Sequence, residues 1–366
     1  MSFVSILEKY ENLTFEEYLN NLKKDKIIKS LKKEKKNEWD FLNLLSPQAF
    51  ELIEEMAKEA HKLTIQYFGK VIQLYVPLYV SDYCSNSCIY CGFSALNKTE
   101  RKKLSIREVE ENAMEIAKTG IKHIIFLTGE SPEITPLSYL IDVTRVLKKY
   151  FSSISIEVYP LEIDDYKELI KEGVDGLTIY QETYDKKVYN EVHLAGRKKD
   201  YYYRLETPER GCKAGFRRVN IGALYGLANP IKDAFFTGLH AKYLQDTYLD
   251  IEISVSFPRL NPAEGCFTPN FRLDDKGFVQ FILALRLFLP RCGITISTRE
   301  RKEMRDNLIG LGITRMSAGS KTDVGGYVRP DKLKQFEISD NRNVEEIEKV
   351  IFKKGYEPVF KDWDQI

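Results

Sequence analysis

Between residues 71 and 318 the chain alternates, eight times over, between short β-branched or aromatic runs and longer segments of helical period. The runs fall at 71–81, 123–129, 152–160, 176–182, 216–224, 250–257, 293–298 and 313–318. Strands separated by helices pair in parallel, and eight such units are the number that closes a ring. The pattern therefore predicts an α/β fold, a (β/α)8 TIM-type barrel. A doubly wound open sheet is the competing architecture. Ser105 and Glu108 form a capping box ahead of a helical segment over 109–118, which Gly120 closes. Thr135 and Pro136 open another to about residue 150, with Leu137, Leu140, Ile141 and Leu147 on one face. Phe278, Phe281, Ile282 and Leu285 repeat the period over 274–289.

Residues 1–70 read as an N-terminal helical extension, with Pro47 separating two helices. Residues 71–320 hold the barrel, and 321–366 read as a short C-terminal extension packed on it. That last stretch has a Gly325-Gly326 turn, one amphipathic helix over 344–354, and an end from Phe360 to Asp364 suited to docking. The 55 Lys+Arg and 54 Asp+Glu nearly cancel, so net charge gives no reason to expect a nucleic-acid partner. The lysine-rich stretch over 23–36 reads as a solvated helix face or linker. No apolar run approaches the ~20 residues that span a bilayer, and the N-terminus does not resemble a secretory signal. Six cysteines, three of them clustered, suit a reducing cytoplasmic setting with a metal centre better than a disulfide framework. Cys212, Cys266 and Cys292 are scattered and read as ordinary thiols.

The clustered set is Cys84, Cys88 and Cys91, spaced C-x3-C-x2-C directly after the first strand. Three thiolates on one loop can hold three irons of a four-iron cluster and leave the fourth iron open to a small chelating ligand. A structural zinc site or three free thiols are the alternatives; zinc prefers four closed ligands, and no second C-x2-C pair is present. In barrels of this kind the active site lies at the strand C-terminal ends. Polar and glycine clusters recur there: Thr128-Gly129-Glu130 after the second strand, Gln181-Glu182 after the fourth, Gly222 to Gly226 after the fifth, Arg299-Glu300 after the seventh and Ser317 after the eighth.

With Tyr90 before its last cysteine, the loop resembles the signature of the radical S-adenosylmethionine (SAM) enzymes. That resemblance implies a 4Fe-4S cluster whose open iron chelates S-adenosyl-L-methionine, reductive cleavage of SAM, and a 5′-deoxyadenosyl radical shielded in a barrel. Thr128-Gly129-Glu130 is similar to the family's Gly-Gly-Glu motif with Thr in the first place, which implies contact with the SAM ammonium. Gly222 then implies a position along adenosine, and Arg204 resembles the arginine that meets the SAM carboxylate. The segments 78–93, 180–184, 219–227, 296–300, 335–340 and 355–364 resemble the aromatic amino-acid lyases, in particular tyrosine lyases of thiamine biosynthesis. The resemblance implies Cα–Cβ cleavage of L-tyrosine to dehydroglycine and 4-cresol. It further implies a thiazole synthase as protein partner and a flavodoxin or ferredoxin as reductant. Arg299 would hold the tyrosine carboxylate, Ser317 would orient the amino acid, and Gln181 and Glu182 would contact SAM or the amino group. Tyr184, Glu182 and the four histidines are candidates for the phenolic proton. A tyrosine lyase of hydrogenase maturation, a tryptophan lyase and an RNA-binding structural module are the alternatives. Cys292 is the last cysteine, so the first of these would lack ligands for a second cluster.

Overall fold

The computed structural model describes residues 2–10, 12–265, 267–269 and 271–362. Cys266 and the tail beyond Asp362 lie outside the described residues. The strands are β1 (Val71–Ser81), β2 (His123–Thr128), β3 (Ser153–Glu157), β4 (Gly176–Glu182), β5 (Arg218–Ala223), β6 (Glu252–Ser256), β7 (Gly293–Ile296), β8 (Arg315–Ser317) and β9 (Glu357–Val359). The first eight pair in sequence order, all in parallel, and β1 pairs with both β2 and β8, so the sheet closes into the expected ring. Nearly every strand residue is buried, because one face packs into the lumen and the other under the helices. The helices Ile106–Ala117, Leu137–Leu147, Ile163–Glu172, Thr207–Ala214, Pro230–Thr247 and Asp275–Phe288 cover that outer face. The Ser105–Glu108 capping box is present and starts its helix.

Two departures concern the ends. The N-terminal extension contains four short helices, a 3-10 turn over Pro47–Leu52 and the longer helix Ile53–Phe68, rather than two helices. Asn37 and Asp40 form a capping box that restarts the chain after the lysine-rich stretch. The extension packs on the outer helices: Phe41 stacks on Phe288 at 4.5 Å, and Gln280 donates to the carbonyls of Leu44 and Ser46. Of the lysine-rich helix Lys24–Lys32, Ile27 and Ser30 are buried, as a solvated face requires. At the other end β9 adds in parallel to the start of β1, which the sequence pattern did not announce. It carries Asp362 to the bottom of the barrel, where the carboxylate lies 2.5 Å from His123 Nε2 and also accepts from Gln73. No helix among the described residues is long and apolar enough to cross a membrane.

Candidate active site

The cysteine loop is pinned by its own backbone. Leu194 and Ser87 exchange N–H···O bonds with each other's segment, and Cys88 bridges to His193 in antiparallel fashion. The Ser85 N–H and hydroxyl donate to the Glu130 carbonyl at 3.0 and 2.9 Å, tying the loop to the end of β2. Gly129 fits beneath it because a Cβ there would meet the Tyr83 carbonyl oxygen at 2.3 Å. From the C-terminal extension the Gln335 carbonyl accepts from Gly92 N–H, and the Tyr79 hydroxyl donates to the Gln335 side chain at 2.6 Å.

Cys84, Cys88 and Cys91 line one wall of a cavity, with Thr128, Gly129, Glu130, Glu157, Glu182, Lys198 and Arg204 around them. Arg204 donates to Glu130 at 2.9 Å, to Glu182 at 3.4 Å and to the Tyr180 carbonyl at 2.7 Å. Lys198 donates to Glu182 at 2.6 Å. Asn86, inside the cysteine loop, donates to Glu130 at 2.8 Å. Burial alone would raise both carboxyls, but the flanking cations more than offset it and hold Glu130 and Glu182 below the usual carboxylate range. Burial pushes all three thiols up, Cys91 to about 11.

The donor set fits a four-iron cluster better than zinc. Among the described residues no three His, Cys, Asp or Glu side chains converge as ligands of one metal ion. A cubane asks each thiolate to reach a different iron, which three spread thiols on one loop satisfy. The Thr128 hydroxyl is buried without a partner beside them, and Gly129 lines the same cavity.

A second cavity occupies the barrel lumen and shares Leu127, Glu157 and Gln335 with the first. Tyr75, Tyr79, Tyr180, Ile125 and Phe257 line it, with Arg299 and Ser317. Arg299 lies 3.3 Å from the Phe336 ring centroid and does not pair with Glu300, whose carboxylate is held by Arg259. Ser317 Oγ accepts from Thr298 N–H at 3.2 Å, which fixes the Arg299 loop against β8.

Other expected residues sit elsewhere. A bulge between Tyr180 and Glu182 makes Gln181 the extra residue of β4. Its amide turns to the Tyr201 carbonyl at 3.3 Å, and it lines neither cavity. The bulge lets Tyr180 face the lumen and Glu182 face the cysteines, with Glu182 at φ +71°. Asp233 accepts from Thr183 and from Tyr184 N–H and so holds the following turn. Gly222 lies under the Tyr180 ring, where a Cβ would meet the Ser256 carbonyl at 2.6 Å and the ring at 3.1 Å. The Tyr90 hydroxyl lies 2.8 Å from His193 Nε2 behind the cysteine loop. Tyr184 pairs with His240 in the core, His61 with the Gly310 carbonyl and His123 with Asp362, so neither Tyr184 nor any histidine lines the lumen. Glu157, Lys198, Asn86 and Gln335 were not expected from the sequence. Burial, then the charge of Glu182, pushes the Glu157 carboxyl up to about 7.

A parallel eight-stranded barrel with three cysteines beyond its first strand, facing a buried cluster of acids and bases, defines the radical SAM class of enzyme. Residues 78–233 match the Radical SAM superfamily, and residues 256–357 match the Biotin and Thiamin Synthesis associated domain. Over 327 residues the chain is 40% identical to the 2-iminoacetate synthases of Salmonella typhimurium and Escherichia coli, covering 89% of this chain and 87% of each relative. The solved structure of HydG, a maturase of the FeFe-hydrogenase, superposes with a TM-score of 0.87 at 30% identity over 98% of this chain and 79% of that one. HydG from Carboxydothermus hydrogenoformans gives 0.85 at 32% identity, over 98% and 83%. The chain belongs to the 2-iminoacetate synthase family, and its cofactors are a 4Fe-4S cluster and SAM.

Proposed function

We propose that the protein cleaves the Cα–Cβ bond of L-tyrosine, giving 2-iminoacetate and 4-cresol with 5′-deoxyadenosine and methionine. The observation that carries this reading is the pairing of two adjoining cavities, one edged by three cysteines and one an aromatic-walled lumen with Arg299 at its mouth. When bound at Cys84, Cys88 and Cys91, the cluster supplies the electron that cleaves SAM. Glu130 and Arg204 present a carboxylate and a guanidinium of opposite charge, suited to the ammonium and carboxylate of one amino acid. Glu182 and Lys198 complete that wall. Thr128 and Gly129 lend backbone and hydroxyl. Arg299 and Ser317 orient the tyrosine carboxylate and backbone at the lumen mouth. Gln335 and Phe336 close over it, so the C-terminal extension after residue 320 forms part of the site.

The relatives named 2-iminoacetate synthase support 2-iminoacetate as the product over the hydrogenase-maturation reading, since they are 40% identical to this chain and HydG is 30–32% identical. An imine product hydrolyses in water, which favours transfer to a thiazole synthase, and a small flavodoxin or ferredoxin suits the electron supply. The test is an anaerobic product assay with the reconstituted protein, a reductant and tyrosine. About four irons, 4-cresol and glyoxylate, the hydrolysis product, are expected. Tryptophan turnover without cresol, or a single bound zinc, would overturn the reading. Arg299→Ala is expected to raise the KM for tyrosine at least about tenfold while SAM binding holds, as loss of a bidentate contact predicts. An unchanged KM removes Arg299 from the pocket.

A further inference from the structure

The floor of the lumen contains a feature that the site above it does not use. Arg315 and Thr295 lie side by side on β8 and β7, in register, and both line the lumen. Arg315 is 8% exposed. Its guanidinium has no hydrogen-bond or ion-pair partner among the described residues, and it lies against the Tyr75 ring at 4.8 Å. The Thr295 hydroxyl is equally buried and equally without a partner. Asn220, which lines the same lumen, is by contrast paired, exchanging hydrogen bonds with Ser254 and Ser256. An unpaired guanidinium deep in a barrel is costly unless something arrives to accept its hydrogen bonds. Burial, then the charge of Arg218 below, brings Arg315 down to about 10.

The spacing says what arrives. Ser317, next to the Arg299 loop, and Arg315 both face the lumen two residues apart on β8, roughly 7 Å along the strand. An amino acid held at Arg299 and Ser317 therefore points its side chain at the Arg315 layer, past Tyr75, Tyr180 and Ile125. We propose that Arg315 and Thr295 together receive the phenol of the substrate tyrosine, Arg315 donating to the phenolic oxygen and Thr295 Oγ1 accepting from the phenolic O–H. This inference rests on tyrosine being the substrate. It makes the pair the specificity element that separates tyrosine from phenylalanine, because a site built to hydrogen-bond a hydroxyl is left with unpaired groups by the analogue lacking it.

Calorimetry on the reconstituted, unreduced protein with SAM tests it without turnover, using tyrosine, phenylalanine and tyramine. The native protein is expected to bind tyrosine on the order of 10⁴-fold more tightly than phenylalanine. In Arg315→Met that ratio collapses towards unity, while the penalty for tyramine, which lacks the carboxylate, stays as in the native protein. Thr295→Val lowers the same ratio by a smaller factor, and Arg315→Lys restores part of it. Because Arg315 has no partner to strand, Arg315→Met is expected to keep the native thermal midpoint; should it fail to fold, Arg315→Lys and Thr295→Val carry the test. An Arg315→Met protein that still discriminates against phenylalanine overturns the proposal. So does one whose lost affinity tracks the carboxylate instead. A native protein that makes no cresol from tyrosine defeats the substrate reading, a different result from either.

Discussion

Cys88→Ser is expected to reduce bound iron from about four per chain to background and to abolish SAM cleavage, while leaving the barrel folded. Two thiolates cannot hold the three irons that must be fixed for the fourth to stay open. The specificity of the loss follows from how the loop is built. Its course is set by backbone bonds from Ser87 and Ile89 to the 192–195 segment and from Ser85 to Glu130, none of which involves a thiol. Iron content and far-ultraviolet circular dichroism read the two halves of the prediction separately. Native iron with native SAM cleavage in the variant would remove the loop from the chemistry; loss of helical signal would show that the metal builds the loop.

Arg204→Ala is expected to lower stability by about 3 kcal/mol or more and to impair SAM binding, because it leaves two buried carboxylates sharing one lysine. The effect carries a pH signature. In the native protein Glu130 and Glu182 ionise below the usual carboxylate range, so they stabilise the fold at neutral pH and that contribution is lost as pH falls through their folded values. Without Arg204 the burial penalty dominates and the sign reverses, since the carboxyls are then easier to bury protonated. The deficit should therefore shrink between about pH 8 and about pH 5, as chemical denaturation at the two values would show. A deficit independent of pH, or below about 1 kcal/mol, would mean that Lys198 alone satisfies both acids.

Legibility in the sequence followed the range of the interaction. Cys84, Cys88 and Cys91 share one loop, and Gly129 and Glu130 share one turn, so short spacing and a preceding strand were enough to read them. The eight strands were legible because their period differs from that of the helices. Arg204 came from resemblance alone, and its pairing with Glu130 joins residues far apart in the chain. Gln181 was misplaced because a bulge reverses the side-chain direction of everything after it, and a one-residue register change leaves no local mark. Glu157, Lys198 and Arg315 look like ordinary charged residues at strand and loop positions. That they face inward depends on barrel closure and strand stagger, which become visible only in three dimensions.

The capped floor has a consequence for traffic. Gln73, in register with Arg315, packs with the buried His123 and Arg218 at the base of the barrel, and Asp362 contacts all three. Among the described residues the lumen is filled at that end, and at the other it adjoins the cysteine cavity through Leu127, Glu157 and Gln335. A substrate seated in the lumen therefore lies deeper in the barrel than anything held at the cysteine loop, with its approach from the floor barred by packed side chains.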